Sequence, residues 1–227
     1  MTKTALIAGA SRGLGLGLAR ELLSRGWRVI ATARDPARAA GLTALAAAHP
    51  GALTVETLDI DDAALVEALA RRLGDARLDL LFVNAGVMER GDLPAVTADG
   101  FAAIMQTNAL SPVRLATALE ARVPADGTVA FMSSRMGSIA EMAAGNAPAY
   151  RASKAALNAL TRCWVAGLGG NRTVLSFHPG WVRTDMGGAG AAVSVEDSVR
   201  GIADVIDRDS GKGGHRFVDY QGNPIPW

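Results

Sequence analysis

An α/β chain built on a doubly wound, seven-stranded parallel sheet with helices on both faces is what this sequence predicts. Three observations carry that expectation. Short apolar, β-branched runs alternate with longer stretches of helical periodicity, which is the pattern of βαβ units. A glycine-rich turn, Gly9-Ala10-Ser11-Arg12-Gly13-Leu14-Gly15, joins the first apolar run to the first helical stretch. The 227 residues, 49% hydrophobic and 20% charged, suffice for one domain with a full core.

Thr4–Ala8 reads as the first strand, and Gly13–Arg25 as a helix with Leu14, Leu18, Leu22 and Leu23 on its buried side. Trp27–Thr32 is the second strand. Asp35-Pro36 then has the form of a helix start, with Asp at the N-cap and Pro in the first turn. Further strands are expected at Leu53–Leu58, Leu78–Val83, Gly127–Met132 and Thr173–His178, with a short last one near His215–Val218. Helices are expected over Asp61–Leu73, Ala98–Arg122, Pro148–Leu168 and Val195–Asp207. Residues 1–227 show no repeat and no linker, so one domain is expected. Met186–Val193 has three glycines and no charge, hence little means of holding one conformation, and is expected to be a short mobile lid.

A net charge of +1 gives no field to attract nucleic acid or an anionic membrane. The one cysteine, Cys163, excludes an internal disulfide and offers no metal-ligand cluster, so no metal is expected. It falls in an apolar helical stretch, where plain packing is expected. The periodic apolar segment from Thr4 leaves no room for a signal helix, and no run approaches the roughly 20 apolar residues of a membrane span. A cytoplasmic chain is expected.

The chemistry lies at two places. Glycines between a strand and a helix let the backbone approach a pyrophosphate, and the helix N-terminus supplies N–H donors there. The spacing Gly9, Gly13, Gly15 makes this a Rossmann-type nucleotide turn. At the end of the second strand, an acid would hold a ribose hydroxyl and an arginine would accept a 2′-phosphate. Asp35 precedes Pro36 and is better read as a helix cap. Arg34 and Arg12 are then expected to face the ribose, favouring NADP(H) over NAD(H). Tyr150 and Lys154 are one helical turn apart and project from one face. A cation near a phenol favours the phenolate, so Lys154 is expected to lower the Tyr150 pKa, by up to about 3 units for a charge pair at about 4 Å.

Several motifs in order resemble the short-chain dehydrogenase/reductase family over essentially the whole chain. They are the glycine turn, Asp59-Ile60, Asn84-Ala85-Gly86, Asn108, Ser133-Ser134, Tyr150-x-x-x-Lys154 and Pro179-Gly180. Gly137-Ser138-Ile139, Tyr150–Asn158, the run from His178 to Met186 and Ile225-Pro226-Trp227 are similar to its C-factor-like, carbonyl-reductase branch. Ala8 departs from the family's usual threonine and loses a hydroxyl that braces the turn.

The resemblance implies a Ser134–Tyr150–Lys154–Asn108 catalytic set. Tyr150 would exchange a proton with the carbonyl oxygen, Ser134 would position that oxygen, and Asn108 would anchor a water leading to Lys154. Lys154 would also hold the nicotinamide ribose. Around the cofactor, it implies contacts from Ser11, Arg12, Gly13 and Leu14 in the turn, Asp59 and Ile60 at the adenine, and Asn84, Ala85 and Gly86 beside the ribose. Pro179 and Gly180 would pass under the nicotinamide, with Val182 and Thr184 at its carboxamide. Ser134 and Tyr150 lie sixteen residues apart, longer than many members show, and Ser138 competes with Ser134. Asn108 as a buried structural polar residue is the other reading there. His178 is expected to be structural, and His49 and His215 to lie on the surface or in loops. The implied activity is NADPH-dependent reduction of a small ketone or aldehyde by a homodimer or homotetramer. An NADP(H)-binding sensor with little turnover is the alternative; an epimerase or dehydratase would need more chain after Thr184.

Overall fold

A computed structural model describes residues 2–168 and 171–227. Its strands are β1 Thr4–Ala8, β2 Arg28–Ala33, β3 Leu53–Thr57, β4 Leu80–Val83, β5 Thr128–Met132, β6 Thr173–His178 and β7 Gly214–Asp219. They form one sheet in the order β3-β2-β1-β4-β5-β6-β7, with every neighbouring pair parallel. The helices are α1 Gly13–Ser24, α2 Ala40–Ala48, α3 Ala63–Leu73, α4 Ala98–Met105, α5 Ser111–Leu119, α6 Pro148–Gly167 and α7 Val195–Asp209.

Successive strand residues point to opposite faces, so a sheet covered on both sides needs apolar residues at nearly every position. In β1, Ala5 and Ile7 join a core with Leu18 and Leu22 of α1 and Ile202 and Ile206 of α7. Leu6 and Ala8 join the opposite core with Val66 and Leu69 of α3, Leu115 and Leu119 of α5 and Leu157 of α6. Strand order reverses between β1 and β4. In sheets of this kind a ligand crevice opens there, beyond the carboxyl ends of the strands.

The expected helix over Ala98–Arg122 is broken. Residues Gln106–Leu110 widen into a π turn between α4 and α5, and Glu120–Arg122 tighten into a 3₁₀ turn. Pro112 explains the first break, because it has no N–H to give the Asn108 carbonyl and its ring crowds that carbonyl. Asp35 does cap, accepting from the Ala37 N–H at 3.0 Å, but it caps only the 3₁₀ turn Pro36–Arg38, and α2 begins later. Cys163 is exposed rather than packed, because α6 buries the face of Tyr150, Ser153, Lys154, Leu157, Asn158 and Thr161. His215 is no loop residue. It lies in β7, 3.0 Å from Ser176 Oγ, with its ring 4.8 Å from that of Trp227.

The segment 186–193 has more to hold it than its own composition supplies. Val182 and Val193 form a bridge, Trp181 Nε1 donates to the Gly187 carbonyl, and Arg183 donates to the carbonyls of Ala191 and Ala192. Arg90 reaches across from the segment after β4 to the Met186 carbonyl at 2.6 Å. No helix among the described residues is long and apolar enough to cross a membrane.

Candidate active site

β1 delivers the chain into the turn at Gly9, whose φ of +87° is a left-handed conformation. A Cβ at Gly9 would lie 2.8 Å from Ala85 Cα, and one at Gly15 would lie 2.2 Å from the Gly9 carbonyl oxygen. These two glycines allow close packing of turn, helix and sheet. Gly13 differs: its φ is +55° and a Cβ there would meet only Thr184, at ordinary van der Waals distance (Cγ2 at 3.6 Å), so the left-handed backbone rather than crowding favours glycine. Arg12 is the N-cap of α1 and makes no side-chain cap, which leaves the first-turn N–H groups without a side-chain acceptor. A left-handed glycine turn leading into uncapped helix amides fits a pyrophosphate.

The turn is braced from two strands. Gly9 N–H donates to Thr32 Oγ1 at 3.1 Å, and Asn84 Nδ2 donates to the Gly9 carbonyl at 2.6 Å. Thr32, at the end of β2, therefore supplies the hydroxyl that Ala8 lacks, a role the sequence reading missed. Arg34 lies exposed just beyond β2 and makes no ion pair among the described residues. Arg12 instead pairs with Asp185, so the glycine turn and the segment after β6 face each other. After β3, Asp59 Oδ1 accepts from the Asp61 N–H at 3.1 Å, and Ile60 is buried. After β6, the Pro179 carbonyl accepts from Ser198 Oγ, Gly180 takes φ +86°, and Thr184 Oγ1 accepts from the Gly187 N–H at 3.1 Å.

Tyr150 and Lys154 sit in the first turns of α6, where Ala147 in the left-handed region and Pro148 start the helix. Both are buried, 7% and 3% exposed. Lys154 Nζ donates to the Met132 carbonyl at 2.8 Å and lies 5.7 Å from the centre of the Tyr150 ring. Ser134 follows β5 and its hydroxyl is close enough to the phenol to influence it. Ser138 is fully buried, donating to the Pro226 carbonyl and accepting from the Glu141 N–H, so Ser134 is the serine at the phenol. Asn108, in the π turn, accepts from the Val87 N–H and donates to the Val87 carbonyl, both at 2.8 Å, and to Ser153 Oγ at 3.0 Å. Ser153 Oγ donates in turn to the Tyr150 carbonyl. The Asn108 side chain thus ties the segment after β4 to the helix that carries the phenol. A Cβ at Gly86 would lie 3.2 Å from Asn108 Oδ1 and 3.4 Å from Lys154 Nζ, so this glycine keeps space open over the ammonium.

The electrostatics reverse one expectation. Burial pushes the Tyr150 phenol up to about 12, with the Ser134 hydroxyl acting the other way. Burial pulls the Lys154 ammonium down to about 8. Desolvation disfavours both charged forms and dominates both shifts, and the expected lowering of the phenol by Lys154 is not found. His178 is pulled down to about 4 by burial, with Arg135 adding to it and Asp219 opposing, so it is neutral at neutral pH. Another buried contact lies behind the site, unforeseen in the sequence: Ser133 Oγ donates to Asn158 Oδ1 at 2.7 Å, joining the end of β5 to α6. Among the described residues no group of His, Cys, Asp and Glu could hold a metal ion.

Residues 3–192 match the family model described as short chain dehydrogenase. The C-signal protein of Myxococcus xanthus is 43% identical over 169 residues, 71% of this chain and 100% of that protein. A 1-hydroxy-2-glutathionyl-2-methyl-3-butene dehydrogenase of Rhodococcus sp. strain AD45 is 31% identical and spans 99% of both chains. Among solved structures, a carbonyl reductase from Pseudomonas aeruginosa PAO1 in complex with NADP superposes with a TM-score of 0.93 at 43% identity, covering 100% of both chains. The NADPH-bound carbonyl reductase from chicken fatty liver gives a TM-score of 0.88 at 33% identity, covering 100% of this chain and 94% of that one. A parallel sheet in this order, its glycine turn, and a buried Ser–Tyr–Lys cluster at the strand ends agree with those matches: the chain belongs to the short-chain dehydrogenase/reductase family of oxidoreductases.

Proposed function

We propose that this chain reduces a ketone or aldehyde to the alcohol, reversibly, with NADPH as hydride donor and Tyr150 as proton donor. The observation that carries this reading is the convergence of Ser134, Tyr150 and Lys154, all buried, at the carboxyl end of the sheet that also carries the glycine turn. When bound, NADPH supplies the hydride. The chain supplies the rest. Amides of Ser11, Arg12, Gly13 and Leu14 at the start of α1 hold the pyrophosphate, and Arg34 meets the 2′-phosphate. Asp59 and Ile60 bind the adenine. Asn84, Ala85 and Gly86 flank the ribose, and Lys154 takes its nicotinamide counterpart. Pro179 and Gly180 support the nicotinamide, with Val182 and Thr184 at its amide. NADP in the Pseudomonas carbonyl reductase and the unpaired Arg34 both support NADP(H) over NAD(H).

Ser134 holds the carbonyl oxygen beside the phenol. A phenol held protonated through neutral pH is a donor, which favours reduction over oxidation near neutrality. Asn108 carries a water toward Lys154 from the turn that Pro112 distorts. Residues 186–193 cover the substrate as a lid.

The substrate is neutral and apolar. Exposed Val87, Ile139, Met142, Trp181 and Met186 all follow the carboxyl ends of β4, β5 and β6, on the side of the sheet that carries the phenol. The arginines of these segments are occupied: Arg90 by the Met186 carbonyl, Arg135 by Glu141, Arg183 by two carbonyls. Among the described residues of these segments, no arginine is without a hydrogen-bond or ion-pair partner, which weighs against recognition of a carboxylate or phosphate. NADPH oxidation against matched aryl ketones, with and without a carboxylate, tests the reading. Turnover of the neutral series supports it, whereas NADPH binding with no turnover of any carbonyl supports the sensor instead.

A further inference from the structure

The long segment between Ser134 and Tyr150 is held from two sides. On one side it rests on α6: a Cβ at Gly137 would lie 2.7 Å from the Lys154 carbonyl carbon and 2.8 Å from Lys154 Cβ. The turn Arg135–Gly137 is therefore seated on the helical turn that carries the lysine. Ser134 caps this same turn, its hydroxyl accepting from the Met136 N–H at 3.1 Å and its carbonyl from the Gly137 N–H at 2.8 Å.

On the other side lies the chain that follows β7. Asp219 closes a tight reversal by accepting from the N–H groups of Gln221 and Asn223, both at 2.9 Å. Pro224 then pairs antiparallel with Val218, and Ile225 N–H donates to the Phe217 carbonyl. From there the chain crosses to the segment after Ser134. Buried Ser138 donates to the Pro226 carbonyl at 2.6 Å, and Ala140 N–H donates to the Trp227 carbonyl at 3.1 Å. The Trp227 ring anchors this crossing, 4.8 Å from His215, 5.3 Å from Phe217 and 5.3 Å from the Arg162 guanidinium of α6.

We infer that residues 224–227 act as a strap that positions Ser134, and that Ser138 and Trp227 are positioning residues for carbonyl reduction. Gly137 against α6 stops the turn from moving inward, and the strap stops it from moving outward. The hydroxyl at the phenol is set between those two stops. Neither Ser138 nor Trp227 belongs to the phenol–ammonium pair or the glycine turn, so the strap governs the reaction step without governing cofactor affinity. The kinetic part of this inference rests on the function proposed above.

Ser138→Ala and Trp227→Ala test it, with Trp227→Phe keeping a ring in the anchor. Each alanine variant is expected to lower kcat about tenfold, since small misplacements of a positioning group are costly. NADPH Kd should stay within about twofold, and amide hydrogen exchange should speed up at Met136, Gly137 and Glu141 but not in β1 or β4. Trp227→Phe should restore most of kcat. Unchanged kcat, a loss that tracks NADPH Kd, or exchange accelerated equally across the sheet overturns the strap. If the unmodified chain reduces no carbonyl, the functional reading fails instead. Exchange in Ser138→Ala then decides the strap: local loosening upholds it, and unchanged protection overturns it.

Discussion

Replacing Lys154 with methionine should leave the protein at least as stable near neutral pH, and less stable at high pH, while destroying its activity. Burial takes the ammonium from its ordinary value of 10.5 down to about 8. That difference corresponds to about 3 kcal/mol of penalty for holding the charge in the fold. A base with a lowered folded pKa carries its full penalty below that pKa, and the penalty fades as pH rises toward the unfolded value. Methionine removes the penalty at similar volume. It also strips the Met132 carbonyl of the donor it meets at 2.8 Å, a buried loss of about 1–3 kcal/mol that does not vary with pH. At neutral pH the variant should therefore range from equal to about 2 kcal/mol more stable, and near pH 10.5 it should be about 1–3 kcal/mol less stable. Urea melts of both proteins, followed by circular dichroism across this range, measure the swing of about 3 kcal/mol. A stability difference that stays constant with pH would refute the buried, destabilised ammonium.

Two other perturbations probe the cofactor half. Arg34→Ala should weaken NADPH about tenfold or more, through loss of a charge-assisted contact to the 2′-phosphate, and leave NADH nearly unchanged; fluorescence titration with both cofactors checks this, and equal weakening contradicts it. Thr32→Val keeps the shape of a residue that is 1% exposed but removes the acceptor of the Gly9 N–H. It should lower stability by about 1–3 kcal/mol in thermal melts and weaken NADPH binding with it.

The succession of strands and helices, the glycine turn and the Tyr150–Lys154 spacing were legible because each depends on local chemistry. Glycines at positive φ, a strand feeding a helix, and a one-turn spacing on α6 all leave a mark within a few residues. What stayed hidden depends on contacts distant in sequence or on burial. The sequence places the start of α2 early, at Asp35-Pro36, because that cap belongs to a 3₁₀ turn and the alanine-rich run after it has no strong amphipathic contrast to mark where the helix begins. The π turn at Asn108 had a signal in Pro112, which a long apolar periodicity masked. The Thr32 brace and the Ser138–Pro226 bond join residues 23 and 88 positions apart, beyond any local pattern. The sign of the Tyr150 shift needed the depth of burial, since a charge pair read from spacing alone omits desolvation. Arg183, Arg90 and Trp181 reach the segment 186–193 from outside it, so its own composition does not show these contacts.

Tyr150→Phe tests the central claim most directly, because it removes one hydroxyl and little else from a site that is 7% exposed. The readouts are NADPH oxidation with a neutral aryl ketone and NADPH affinity by fluorescence, on the same preparation. Loss of the proton donor should lower kcat by about a hundredfold or more while NADPH Kd stays within about twofold. Retained turnover, or a loss of activity matched by a loss of NADPH binding, would contradict the assignment of Tyr150 as the acid.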